Sequence, residues 1–190
     1  MAGKQQDVVD VLLDQHSQIK SLFSRVASEP KGTQKRELFQ DLVRLLAVHE
    51  TAEEEVVHPV ARRRIDSGEQ VVDSRRKEED QAKRELAQLY DMGVDHPEFN
   101  AKLAKLSEAV AQHADREEAE EFRSLRQQVP QEQLVRMAGA VRAAEQTAPT
   151  RPHPHSGESA PANLLAGPPL AVFDRIRDAV RDWRETQRVR

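Results

Sequence analysis

His49 to Pro59 reads HETAEEEVVHP. Four residues separate His49 from Glu53, slightly more than one helical turn, so a helix stacks this imidazole and this carboxylate on one face. The same pair returns as His113 and Glu117 in HADREEAEEF, residues 113–122. A histidine and a carboxylate one turn apart, delivered twice, can hold a two-metal site between helices.

The sequence around each motif has helical period. Upstream of the first motif, Leu38, Leu42 and Leu45 lead into His49 and Glu53, with Val56 and Val60 beyond. This stripe predicts a helix from about Gln34, capped by Thr33 and ended or kinked by Pro59. Upstream of the second motif, Phe99, Leu103, Leu106 and Val110 lead into His113 and Glu117, predicting a helix over about 98–127 that Pro130 breaks. Each of these helices has a partner before it. Val8, Leu12, His16, Ile19, Phe23 and Val26 predict a helix over about 7–27 with His16 on its inward stripe. Val72, Arg75 or Arg76, Glu79, Ala82, Leu86 and Leu89 predict another over about 69–92, less apolar, with Glu79 inward.

These four helices form an internal repeat. His16 to His49 is 33 residues and Glu79 to His113 is 34, and HSQIKSLF (16–23) aligns with EDQAKREL (79–86). Each half is a helix carrying one ligand type followed by a helix carrying His-x-x-x-Glu. Two such hairpins pack as an all-α, up-down-up-down four-helix bundle. The expected organisation is a bundle over 1–128, a short helical extension over 129–146, a Pro/Ser/His-rich flexible linker over 147–169, and a C-terminal amphipathic helix over 170–190. That last helix carries Phe173, Ile176, Val180 and Trp183 on one side.

Composition agrees. Of 190 residues, 33% are charged and only 4% aromatic, which suits long helices rather than strands. A formal net charge of -4 gives no global case for nucleic-acid binding. With no cysteine, disulfides, Fe–S clusters and Cys-ligated zinc are excluded. No apolar run approaches a membrane span, and the first residues, MAGKQQDVVD, lack a signal core, so a soluble cytoplasmic protein is expected. No Gly-rich phosphate loop, nucleophile elbow or Ser/His/Asp arrangement is present.

Three imidazoles (His16, His49, His113) and three carboxylates (Glu53, Glu79, Glu117) therefore fall on inward stripes. Unpaired carboxylates inside a bundle are costly or become protonated, and a cation offsets that cost. Imidazole and carboxylate without thiolate suit iron or manganese. With Glu53 and Glu117 each bridging two metals, coordination positions remain for a bridging oxide or hydroxide and for a diatomic or peroxide ligand.

The pattern His16, His49-x-x-x-Glu53, His113-x-x-x-Glu117 resembles the hemerythrin-like family, also called the HHE cation-binding domain, over about residues 7–127. Its spacing differs from the Glu-x-x-His helix motif of ferritin-like proteins. The resemblance implies a nonhaem centre of two iron ions (Fe2+/Fe3+), oxo- or hydroxo-bridged, with His16, His49, His113, Glu53 and Glu117 as ligands and no other cofactor. Where the family's third helix usually supplies histidine, this chain has Glu79. Harder oxygen ligation favours ferric iron, which weighs for peroxide chemistry, iron sensing or iron binding over reversible oxygen carriage.

The expected function is thus binding of oxygen-derived ligands such as O2 or H2O2, with catalase- or peroxidase-like turnover left open and no catalytic residue assigned. The alternative is a non-enzymatic iron or oxygen sensor whose output is the tail. Residues 170–190 would serve self-association or a protein partner, while neither nucleic acid nor membrane is expected as a partner. His58 is a further ligand candidate against a packing role. It lies nine residues after His49, nearly the opposite helix face, and its repeat counterpart is Phe122, yet it follows Glu53 by five and borders Pro59. His96, His153 and His155 read as solvent-exposed loop residues. The acidic runs read as solvated faces with one inward carboxylate each. The arginines of 61–64 and 75–77 read as surface charge paired with nearby acids.

Overall fold

The computed structural model describes residues 5–147, and over these the chain is helical with no strand. The linker and the C-terminal amphipathic segment expected beyond residue 147 lie outside the described residues, as do His153 and His155.

Helix α1 (Val8–Ser28) begins with a reciprocal cap. Asp7 accepts from the Asp10 N–H at 2.9 Å, and the Asp10 carboxylate accepts from the Asp7 N–H at 3.0 Å. Helix α2 (Thr33–Ala52) starts one residue earlier than its expected cap. Gly32 takes the cap position at φ 137, and Thr33 is already helical. The turn into α2 needs a left-handed backbone there, which glycine adopts at no steric cost.

From α2 the chain does not break at Pro59. It passes through a π turn (Glu53–Val57) directly into α3 (His58–Arg64). The His58 N–H bonds back five residues to the Glu53 carbonyl. Pro59 then falls in the first turn of α3, a position that does not require its missing N–H. Ser67 turns the chain at φ 55, and Gly68 packs hard against α3. A Cβ at Gly68 would lie 2.3 Å from the Ala61 carbonyl oxygen, so α3 and α4 (Gly68–Met92) can meet this closely only around a glycine.

Gly93 ends α4, and α5 (Phe99–Arg116) follows. A second π turn (Glu117–Phe122) leads without a break into α6 (Arg123–Gln128), and α7 is Gln131–Thr147. Four rods result: α1; α2 with α3; α4; and α5 with α6. Helix α1 packs on α2 and α5, and α4 packs on α3 and α5, which is the four-helix bundle expected. Helix α7 lies on α1 and α2 and buries Leu134, Met137, Ala138 and Val141.

The inward stripes are largely as the period requires. Val8, Leu12, Ile19, Phe23 and Val26 of α1 are buried, as are Leu38 and Leu42 of α2, Val72, Leu86 and Leu89 of α4, and Phe99, Leu103 and Leu106 of α5. Leu46 is more deeply buried than Leu45, and Leu45 and Val60 are only partly covered. In α4 the inward arginine is Arg75. It is 3% exposed and paired with Glu78 at 2.9 Å and Glu120 at 2.7 Å, so the expectation of a surface role for it is corrected. Arg62 does pair at the surface, with Asp73.

Candidate metal centre

All six expected residues converge in the middle of the bundle. His16 comes from α1, His49 from α2, Glu79 from α4 and His113 from α5, while Glu53 and Glu117 open the two π turns. Their donor atoms form two clusters. In one, His16, His49, Glu53 and Glu117 offer atoms that all lie within 4.8 Å of one another. In the other, Glu53, Glu79, His113 and Glu117 do the same. Glu53 and Glu117 belong to both. His113 Nε2 lies 3.0 Å from one Glu117 oxygen and His16 Nε2 lies 3.3 Å from the other. His49 Nε2 lies 3.4 Å from Glu53.

The orientation of each imidazole is fixed from behind. His49 donates from Nδ1 to the Gln15 amide oxygen at 2.8 Å, and Gln15 in turn donates to Glu145 at 2.7 Å. His113 donates from Nδ1 to Glu78, and His16 donates from Nδ1 to Glu118, both at 2.8 Å. With the proton held on Nδ1, the Nε2 lone pair of each ring is free to face inward. His16 Nε2 and His49 Nε2 approach to 3.1 Å, so two lone pairs point at one spot. Only a proton or a cation between them makes that approach favourable.

The carboxylates make the same demand. Glu53 and Glu117 are fully buried, and no hydrogen bond reaches either oxygen of either residue. Glu79 Oε2 and His113 Nε2 are likewise buried without a hydrogen bond. Orphaned buried polar atoms cost roughly 1–3 kcal/mol each, more when charged. Each of these residues offers a donor atom to the clusters, so the donor set fits a pair of metal ions.

Electrostatics in the metal-free cluster reflect the same crowding. Burial pushes the Glu53 carboxyl well above the usual carboxylate range, and Glu117 and Glu79 add to it. Burial and the neighbouring His16 push His49 well below the ordinary imidazole value. His113 is raised to about 9, because Glu117 and Glu78 outweigh the opposing effect of burial. Glu117 is held below the usual range against its burial, chiefly by His113 and His16.

Sequence reasoning left His58 open and missed two further participants, Glu121 and Glu50. His58, expected on nearly the opposite face, is 2% exposed and points inward. Its Nε2 lies 2.8 Å from Glu79 Oε1 and its Nδ1 lies 3.1 Å from Glu121 Oε1. Against the opposing effect of burial, these two carboxylates raise it to about 10. The π turn inserts a residue into the helical count and rotates His58 from the outer to the inner face. Glu121 is fully buried beside it, so the second acidic run turns two carboxylates inward, Glu117 and Glu121, rather than one. Glu50 is 5% exposed, and burial raises its carboxyl to about 8 although Lys83, 3.3 Å away, opposes this. The five-residue step from Glu53 to His58, one π turn, was the available signal for His58. His96 is exposed, as expected.

A cavity of about 620 Å³ leads to the cluster from one side. Ile19, Phe23, Leu46, Ala82 and Val110 line it from four helices, and His16, His49, Glu50, Glu79 and His113 are exposed to it. Among the described residues, no helix is long and apolar enough to cross a membrane.

Comparison with known proteins places this geometry. The family model described as the hemerythrin HHE cation-binding domain matches residues 7–125. An uncharacterized hemerythrin-like protein of Schizosaccharomyces pombe is 24% identical over 184 residues, covering 96% of this chain and 91% of that one. A DNA nickase of a Nostoc species is 28% identical over 139 residues, 73% of this chain but only 39% of that larger protein. In fold, the chain is similar to the crystal structure of a hemerythrin HHE cation-binding-domain protein from Mycobacterium kansasii. The TM-score is 0.66 at 18% identity, covering 74% of this chain and 86% of the other.

Proposed function

Since the chain belongs to the hemerythrin HHE cation-binding family, we propose that its two clusters hold a pair of iron ions that meet O2 or H2O2 through the interior cavity. The observation that carries this reading is the shared pair Glu53 and Glu117, both fully buried with every carboxylate oxygen free of hydrogen bonds. His16 and His49 would complete one metal's protein ligands, and Glu79 and His113 the other's. Imidazole and carboxylate donors without thiolate suit iron. Three carboxylates in the set favour the ferric state, which supports peroxide decomposition over reversible oxygen carriage.

When bound, the metal pair supplies Lewis acidity and one-electron redox capacity. The chain's own residues supply access, exclusion of bulk water and proton handling. Ile19, Phe23, Leu46 and Val110 give the cavity apolar walls beside the ligands. Glu50 also lines that cavity, and its raised carboxyl holds a proton at neutral pH within reach of Lys83. A buried neutral acid facing the cavity is suited to exchanging a proton with an oxygen-derived ligand.

Metal analysis of purified protein with an ultraviolet–visible spectrum tests the centre. Two irons per chain with oxo-bridge absorption are expected, and a chain that stays metal-free when offered ferrous iron overturns the reading. Peroxide consumption tests the activity: the parent should outpace His49→Ala and free iron, and equal rates would remove peroxide turnover.

A further inference from the structure

The repeat pairs His16 with Glu79 and Phe122 with His58. Each member of the second pair lies five residues after a shared carboxylate, one π turn beyond Glu117 or Glu53. On one side of the centre, Phe122 stacks on the His16 ring, with centroids 5.5 Å apart and planes 19° apart. On the other, His58 sits against Glu79 at 2.8 Å. The two π turns thus deliver a partner to the ligand on the facing helix, and the partner matches the ligand. An imidazole receives an apolar ring; a carboxylate receives a ring that can donate.

The surroundings of Glu79 carry one polar residue more. His58 is anchored by Glu121 at 3.1 Å, and the repeat counterpart of Glu121 is the buried apolar Val57. Behind His16 the polar partner is instead Glu118, on its Nδ1. His58, Glu79 and Glu121 are 2%, 2% and 0% exposed, so solvent does not hold their geometry. His58 takes Glu79 Oε1, and Glu79 Oε2 is left without a hydrogen bond.

We infer that His58, held by Glu121, is a positioning residue that fixes Glu79 as a one-oxygen metal ligand by holding Oε1 and aiming Oε2 at the cluster shared with His113 and Glu117. This rests on the reading that the centre binds two metals. A glutamate has several free torsions and two equivalent oxygens, so without a partner it samples orientations that miss the metal. A hydrogen bond from behind selects one. For the three imidazoles Gln15, Glu78 and Glu118 already do this, and His58 does it for the single carboxylate that belongs to one cluster alone.

The test is anaerobic titration of metal-free protein with ferrous iron. Bound metal is counted after gel filtration, imidazole ligands are counted by X-ray absorption, and circular dichroism melts of the metal-free variants check folding. The parent should bind two metals. His58→Phe should weaken the second by about 10- to 100-fold. His58→Gln, which still offers an N–H to Glu79, should keep two metals and an unchanged imidazole count. The double variant His58→Phe/Glu79→His reproduces the His16–Phe122 pair beside the second cluster and should regain the second metal. If the parent binds two metals and His58→Phe binds both with parent affinity, the inference fails while the metal centre stands. If His58→Gln loses a metal together with one imidazole, His58 is itself a ligand and the inference fails. If His58→Phe fails to fold, His58→Gln and the double variant decide, and a double variant that folds without recovering the second metal overturns it. A parent that binds no metal removes the underlying reading and this inference with it.

Discussion

The half of the bundle built on α1 and α2 and the half built on α4 and α5 follow one plan with different chemistry. Each contributes one shared carboxylate and one histidine a turn before it, and these are the same in both halves. What differs is the residue of the first helix and what faces it across the bundle: His16 faces Phe122 of the second half, and Glu79 faces His58 of the first, which Glu121 anchors. Glu53 and Glu117 leave little freedom, because on the proposed reading each would serve two ions at once. A position that would serve one ion is freer to change, together with the residue that faces it.

The comparison is broken most severely at the residues the halves share. Glu53→Ala or Glu117→Ala should take bound metal from two per chain to none, since each removes a donor from both clusters. Metal analysis after reconstitution reads this directly. Loss of only one metal would mean that the carboxylate serves one side and that the two-cluster geometry is misread. His16→Ala and Glu79→Ala should instead cost one metal each, leaving about one per chain. Equal and complete loss from either would show that the ions bind only as a pair and that the halves are not separable.

Much of this plan was legible in the sequence because it depends on a constant period. His49 with Glu53 and His113 with Glu117 are each one turn apart, and Leu38, Leu42, Leu103 and Leu106 fix which face is inward. That was enough to place all six candidate ligands in one volume. The π turns were not legible, since nothing in a 3.6-residue count signals where one residue will be added. The count fails immediately after each shared carboxylate. His58 was therefore read as nearly opposite His49, with a ligand role left open, and Glu121 was placed among the solvated acids. Gln15, Glu78 and Glu118 were hidden for another reason: Gln15 and Glu78 reach histidines on a different helix, and register between helices is set by packing rather than by local sequence.

A smaller effect sharpens the contrast through pH. In metal-free protein His113 is raised to about 9 and His58 to about 10, in each case because carboxylates outweigh burial. Both belong to the polar network around Glu79. A raised imidazole value stabilises the fold fully below the unfolded value near 6.5, and that contribution is lost as pH rises through the folded value. Raised Glu50, at about 8, acts in the same direction, because a buried acid that must ionise destabilises the fold as pH rises. Metal-free protein should therefore melt at a lower temperature at pH 9 than at pH 6.5, by on the order of 5 °C. Metal bound at His113 would replace the proton on Nε2, so the metal-loaded melt should change less, and the gap between the two should widen with pH. His49, which is lowered, loses stability only below about 6.5 and leaves this window untouched. A gap that stays constant from pH 6.5 to 9 would show that protons and metal do not compete at His113.

The smallest expected effect lies behind the imidazoles, where the halves differ once more. His49 is held by a neutral amide, Gln15, and His113 by a carboxylate, Glu78. A carboxylate behind an imidazole makes a stronger, charge-assisted hydrogen bond and raises the ring's basicity more than an amide does. Replacing Gln15 by Leu removes the acceptor for His49 Nδ1 and also frees Glu145 at the α7 contact. Replacing Glu78 by Gln keeps an acceptor but removes the charge, and it also weakens the pairs that Glu78 makes with Arg75 and Arg116. Each change should lower the affinity of its own cluster by about 10-fold and leave the other cluster unchanged. Stepwise metal titration separates the two sites. Glu78→Gln should weaken the site that contains Glu79, and Gln15→Leu the site that contains His16. If both variants weaken the same step, the supporting residues act on the bundle as a whole, and the division of the centre into two halves does not extend past its ligands.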